Sequence, residues 1–149
     1  MRKLNLPEYD FRYKNEGEDR YVMDIFRKRY VMLTPEEEVR QRFARYLVEE
    51  KEFPSSLIMT EYALKLNKMT RRCDILVHKP AGHPTVLVEC KAPEVNISQA
   101  VFDQVARYNL VFKVKYLMVT NGLKHYCCIV DFDSQSVDFQ NKIPSYLDL

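Results

Sequence analysis

The sequence predicts an α/β domain, a mixed sheet with helices packed against it, and two observations carry that prediction. Apolar residues recur at helical spacing in two stretches, from Val39 to Leu47 and from Val101 to Phe112, and short β-rich apolar runs fill the intervals between and after them. At 149 residues, the chain buries roughly two-thirds of the surface it exposes when unfolded, so one core suffices without a disulfide or metal staple. Its 23 Lys and Arg against 21 Asp and Glu leave a net charge of +2. That balance excludes a polybasic tail and does not by itself announce a nucleic-acid binder. No run reaches the ~18 consecutive apolar residues of a membrane span. Met1-Arg2-Lys3 is followed by no apolar signal core. The expectation is a cytoplasmic protein without membrane contact and with reduced thiols. Cys73, Cys90, Cys127 and Cys128 lack Cys-x-x-Cys spacing and read as buried small hydrophobes.

Residues 1–33 are rich in aromatic and charged residues and read as an arm or edge element, with Asn15 to Arg20 as an exposed loop and Tyr21 to Ile25 as a short strand. A single domain follows over 34–149. Thr34-Pro35-Glu36-Glu37 opens the first helix: Thr34 suits the N-cap, Pro35 the first helical position, and Glu37 the third position of a capping box. Val39, Phe43, Tyr46 and Leu47 give it one buried stripe to about residue 52, before Pro54. The period then changes. Leu57 to Leu66, Cys73 to His78 and Thr85 to Cys90 read as strands, and the trio Val86-Leu87-Val88 implies a strand covered on both faces. A second helix runs from about Ser98 to Phe112. Tyr116 to Thr120 is another strand, Asn121-Gly122 a turn and His125 to Phe132 a last strand.

The chemistry concentrates at Asp74, Glu89 and Lys91. Glu89 and Lys91 are two apart on a strand and project from one face. A hairpin symmetric about the Ala81–Gly82 bond pairs Val77 with Val86, Ile75 with Val88 and Asp74 with Glu89. Opposed Cβ atoms in such pairs lie ~4.5–5.5 Å apart, near enough for two carboxylates to share a cation. A bulge would break this register. Opposed like charges destabilise a strand pair and push one carboxyl pKa upward unless a cation compensates. Magnesium or manganese, which bind through one or two carboxylates plus substrate phosphate, suit that arrangement. Lys91 would lie near a metal-bound water or the charge developing on a phosphate. The competing reading is an ordinary salt-bridge cluster at a strand end, in a structural dimerisation domain. On the second helix Gln104 and Tyr108 share a face. A Gln amide can bond a phosphate oxygen, a water or sheet backbone. On spacing alone Tyr108 reads as a core aromatic on the Val101/Val105 side before it reads as a site residue, and Arg107 as a phosphate contact or a solvated charge.

At these residues the sequence resembles the PD-(D/E)xK nuclease superfamily, with Asp74 as the first carboxylate and Glu89-Cys90-Lys91 as the E-x-K. More narrowly it resembles the N-terminal nuclease domain of type I restriction enzyme R subunits. The matching stretches are Leu33-Thr34-Pro35-Glu36-Glu37 with Val39-Arg40-Gln41, Arg72-Cys73-Asp74-Ile75, Val88 to Pro93, Gln104 to Tyr108, and Val119-Thr120-Asn121-Gly122. Cys73 stands where the family usually has proline. The resemblance implies a restriction-endonuclease-like α/β/α sandwich around a central mixed β-sheet, and a nuclease-like domain over 34–149. It also implies magnesium-dependent endonuclease activity on DNA, with catalytic roles for Asp74, Glu89, Lys91 and Gln104. Gln104 and Tyr108 match a Q-x-x-x-Y that accompanies this site in some branches. An acidic residue of the first helix often joins the metal shell; Glu36, on the inward edge, is the candidate, Glu37 being assigned to the cap.

DNA contacts are expected at phosphates, through Gln104, Tyr108, Arg107 and Arg72 and the clusters Arg27-Lys28-Arg29, Arg71-Arg72 and Lys113/Lys115. There is no Gly-x-x-x-x-Gly-Lys-Ser/Thr and only 3 glycines, so the expectation is either a free-standing relative or the partner of a separately encoded helicase or restriction-complex subunit that carries the translocating motor. Cutting both strands would imply a homodimer. The alternative from another class is a catalytically silent nuclease-fold module for DNA binding or complex assembly.

Overall fold

The computed structural model describes residues 3–66 and 69–149, the side chains of residues 64–66, 69, 71 and 108–111 excepted. Thr34 is extended (φ −91°, ψ 165°) and its hydroxyl accepts the Glu37 amide at 3.0 Å, so helix α1 (Pro35–Glu49) starts where the sequence places it. The reciprocal half of the capping box is corrected. The Glu37 carboxylate accepts from the side chains of Arg27, Arg40 and Gln41, because charged and amide donors are stronger partners than one backbone amide. The Thr34 amide bonds the Met32 carbonyl instead.

Six strands form the central sheet: β4 (Ile58–Leu66), β5 (Met69–His78), β6 (Pro84–Cys90), β7 (Tyr116–Thr120), β8 (His125–Asp131) and β9 (Ser136–Gln140), in sequential order. The β6–β7 pair is parallel and joined through helix α2 (Gln99–Phe112); the neighbouring pairs are antiparallel. The sheet is therefore mixed. Val39, Phe43, Ala44 and Leu47 of α1 pack on Ile75, Val77, Val86, Val88 and Met118. Val105 and Phe112 of α2 pack on Leu76, Leu87, Leu117 and Val119. One helix covers each face, as the sandwich requires, and the apolar trio of β6 serves both cores by alternation. Strand β9 is an addition. Every residue in it is exposed, so no buried face leaves an alternating pattern to read.

The N-terminal segment forms its own antiparallel sheet, β1 (Tyr13–Glu16), β2 (Asp19–Asp24) and β3 (Arg29–Met32). The loop expected over Asn15 to Arg20 is corrected to a hairpin in which Asn15 pairs with Arg20 around a turn at Gly17, φ 61°. Solvated strands carry loop-like composition, and here cation–ring contacts replace apolar cross-strand pairs: Arg20 lies 4.0 Å from the Tyr13 ring and Lys14 4.7 Å from the Tyr30 ring.

Ahead of this sheet Leu4 and Leu6 enter the α1-side core. The Asn5 amide bonds the Gly122 carbonyl at 2.8 Å. His125 Nε2 donates to the Asn5 carbonyl at 2.8 Å, which leaves Nδ1 to accept from Thr120 Oγ1 at 2.7 Å. Gly122 permits the approach: its φ is 84°, and a Cβ there would stand 2.9 Å from Leu4 Cδ2 and 3.1 Å from Val39 Cγ2. Gly122→Ala should therefore destabilise the protein by about 1–3 kcal/mol in urea titration. Burial holds the His125 pKa below its ordinary 6.5, and the bond to Asn5 only partly offsets this. The unfolded chain then binds a proton that the folded one refuses. The stability tied to neutral His125 is complete above 6.5 and lost as pH falls below it. Urea midpoints should decline over that acidic window in the wild type and decline less in His125→Gln.

Candidate active site

The β5–β6 hairpin closes with Lys79 N on His83 O at 2.8 Å, and pairs Val77 with Val86, Leu76 with Leu87 and Ile75 with Val88. A bulge lies between Val77 and His78, on the turn side, so the register toward Asp74 is the symmetric one. The ladder ends at Ile75–Val88. Beyond it Asp74 Oδ2 accepts the Cys90 amide at 2.7 Å, and the Glu89 carboxyl lies near enough to Asp74 to feel its charge. Lys91 Nζ stands 3.2 Å from Glu89 Oε1. The Lys91 amide bonds the Thr120 carbonyl at 2.8 Å, and Asn121 Nδ2 holds the following loop by the Val95 carbonyl at 2.9 Å.

On the other side of β5, the pairs Thr60–Ile75 and Tyr62–Cys73 skip the position between them, where Glu61 faces Asp74 with φ 49°. Left-handed backbone at a non-glycine residue costs about 1–3 kcal/mol and clusters at functional sites. The alternation of β5 breaks there as well. Cys73 and Ile75 would share a face in a regular strand, yet they belong to opposite cores.

Arg40, whose side chain is 5% exposed, reaches this break from α1. Its Nη1 donates to Glu37 Oε1 at 2.6 Å, and its Nη2 lies 2.6 Å from Asp74 Oδ1, 2.7 Å from Glu61 Oε1 and 3.3 Å from Glu36 Oε1. Glu37 Oε1 also accepts from Arg27 Nη2 at 2.7 Å, and Arg27 Nε donates to Asp24 Oδ2 at 2.5 Å. Asp24, fully buried, accepts further from Thr60 Oγ1 and two backbone amides. The result is a ladder of alternating sign, Asp24–Arg27–Glu37–Arg40–Asp74, from the N-terminal sheet to the site. Arg27 is thus removed from the basic cluster expected to meet phosphate, because both its ends are spent on buried carboxylates. Arg40 carried a signal in the sequence: it lies three residues before Phe43 and seven before Leu47, a charge on the apolar stripe. Glu61 and Asp24 carried none.

Burial first, and then the charge of Asp74, raises the Glu89 pKa well above the usual carboxylate range. Glu36 is raised by the same two causes. Burial works against the Lys91 cation, but Glu89, Asp74 and Glu36 outweigh it and its pKa rises. The structure brings Asp74, Glu89, Lys91 and Glu36 together, and sets exposed Arg72 at the rim with Nη1 3.6 Å from Glu61 Oε2. Gln104 is half-buried on α2 and Arg107 exposed beyond it. The side chain of Tyr108 lies outside the described residues. The four cysteines are buried free thiols.

Two neighbouring carboxyls, one of them driven toward its protonated form by the other's charge and by burial, are a pair that a divalent ion would ionise. Among the described residues no three His, Cys, Asp or Glu side chains are disposed to hold a metal ion.

Residues 35–144 match the family described as the type I restriction enzyme R protein N terminus. The chain belongs to that family. No curated protein matches it. A solved fragment assigned to an HsdR subunit of a type I restriction enzyme from Vibrio vulnificus YJ016 shares the fold, with 18% identity and a TM-score of 0.54 over 76% of this chain. This chain spans 24% of that one. Within the R-protein N-terminal match lie both helices, Arg40, Glu61 and the Asp74–Glu89–Lys91 group; strands β1 to β3 precede it. Among the described residues no helix is long and apolar enough to cross a membrane.

Removing one member of a buried ion pair leaves an uncompensated charge. Arg27→Met should cost about 3–5 kcal/mol in urea titration, since it strands Asp24 and weakens the hold on Glu37.

Proposed function

We propose that this R-protein N-terminal domain is a divalent-metal-dependent DNA endonuclease centre. The observation that carries the reading is the convergence of Asp74 with the Glu89–Lys91 ion pair at one end of the β5–β6 hairpin, with the Glu89 pKa raised by burial and by the charge of Asp74. Asp74 and Glu89 would hold the ion, and Glu36 stands at the edge of its shell. Magnesium or manganese supplies Lewis-acid polarisation of the phosphate and a more acidic water. Lys91, tethered to Glu89, keeps its proton and presents a cation where charge develops on the scissile phosphate. Arg72 and Arg107, both exposed, offer contacts to neighbouring phosphates, and Gln104 a neutral donor and acceptor. DNA affinity from such contacts falls steeply with salt. The motor that delivers DNA, and the other subunits of a restriction complex, would be partners of this domain.

Supercoiled plasmid incubated with the protein and magnesium or manganese should be nicked or linearised. Asp74→Asn and Glu89→Gln should abolish cutting, and Lys91→Met should slow it by about 100–1000-fold. Cutting that survives Glu89→Gln overturns the reading. DNA binding without cutting in any divalent ion would favour the silent binding or assembly module, which the engagement of both Asp74 oxygens already makes the specific competitor.

A further inference from the structure

We propose that the outer part of the β4–β5 pair is a basic two-stranded arm that enters the major groove of duplex DNA and seats the duplex against the candidate site. The inference rests on the DNA-cleaving reading above and names how that site takes hold of its substrate. Strand β5 pairs with β6 only from Ile75 to His78, and β4 is an edge of the six-stranded sheet. The β4–β5 pairing nevertheless continues outward through Tyr62–Cys73, Ala63–Arg72, Leu64–Arg71, Lys65–Thr70 and Leu66–Met69. Among the described residues no third strand accompanies these pairs. From Ala63 and Arg72 outward the two strands are therefore a ribbon that projects past the sheet.

The root of the ribbon and its charge point to one partner. Tyr62 and Cys73 still belong to the α2-side core, with the Tyr62 ring centroid 6.4 Å from that of Phe112, whereas Ala63, Thr70 and Arg72 are exposed. One position nearer the sheet stand Glu61 and Asp74, so the ribbon grows directly out of the acidic group of the site. Its strands carry Lys65, Arg71 and Arg72 and no Asp or Glu. The Arg72 side chain is 69% exposed, and its Nη1 stands 3.6 Å from Glu61 Oε2, longer than a hydrogen bond. A cationic ribbon rooted beside carboxylates complements a polyanion that has to be brought up to those carboxylates. The dimensions select the groove. Paired strands lie ~4.8 Å apart and rise ~3.3 Å per residue, so Ala63–Leu66 reaches about 10–13 Å from the root. The major groove of B-DNA, ~12 Å wide and ~8.5 Å deep, admits a two-stranded ribbon, and the ~6 Å minor groove is too narrow for one without deformation. A ribbon seated in the major groove lies between two phosphate backbones, and the one nearer its root passes the Asp74–Glu89 pair.

The test is binding of a short fluorescein-labelled duplex, followed by anisotropy in EDTA, where no divalent ion supports cutting. The variant K65Q/R71Q/R72Q should bind about 10–100-fold more weakly than the wild type, and its slope of log affinity against log salt should shrink by about 2–3. R72Q alone alters one exposed position and serves where the triple variant does not fold; it should shrink the slope by about 1. A duplex whose cytosines carry glucosylated hydroxymethyl groups, which fill the major groove, should bind the wild type as weakly as the plain duplex binds the triple variant. Netropsin, which occupies the minor groove, should not compete. Unchanged affinity and slope in the variants, no duplex binding by the wild type, full-strength binding of the glucosylated duplex, or displacement by netropsin overturns the proposal. Cutting plays no part in these measurements, so failure of the nuclease reading and failure of the ribbon assignment are separable.

Discussion

Asp74 is held from two sides at once, by the Cys90 amide of the neighbouring strand and by the Arg40 guanidinium of the helix packed on the sheet. Those two bonds join β5, β6 and α1 where the ladder between β5 and β6 has already ended. A carboxylate that is 7% exposed cannot be left with an unfilled oxygen. The Asp74 side chain therefore dictates where α1 lies along the sheet, and Arg40 must be buried to serve it. Burying Arg40 in turn requires Glu37 and Glu61. Glu37 requires a further cation to balance its position, which Arg27 supplies, and Arg27 is balanced by Asp24.

This dependence gives the N-terminal sheet a structural role. Its β2–β3 corner carries Asp24 and Arg27, and through Glu37 and Arg40 it connects to a carboxylate of the candidate site, while Phe26 of the same corner packs on the α1-side core. Buried ion pairs add little net stability over apolar packing of the same volume, but they tolerate no missing member. The strain at Glu61 belongs to the same arrangement. The surrounding ladder overdetermines that residue and holds its carboxylate on Arg40 in a conformation an isolated strand would not choose.

The catalytic reading draws its force from the contrast between neighbouring carboxyls. Asp74 has an amide and a guanidinium bonded to it, whereas Glu89 has only Lys91 against burial and the charge of Asp74, and it is Glu89 whose pKa climbs. Environment drives one of two chemically similar neighbours toward its protonated form, a common basis of site chemistry.

Helix α1, the buried strands β6 and β7 and the hairpin register were legible because their signals are local. A cap, a helical stripe, an unbroken apolar trio and a symmetric turn are all read from residues within a few positions of each other. The Asp74–Glu89–Lys91 group was legible for the same reason, since one hairpin contains it. Strands β1, β3 and β9 were not, because exposed strands have no buried face to impose a period on the sequence. Arg40 and Asp74 are 34 residues apart and Asp24 and Thr60 are 36 apart; nothing in covalent proximity marks such pairs. The sequence by itself determined the sandwich and the identity of the central acidic and basic residues. Only the tertiary structure decided that Glu37 leaves the cap for the ion ladder, that Arg27 turns inward, and that Arg40 and Glu61 complete the site, because a charge finds its partner by burial and not by spacing.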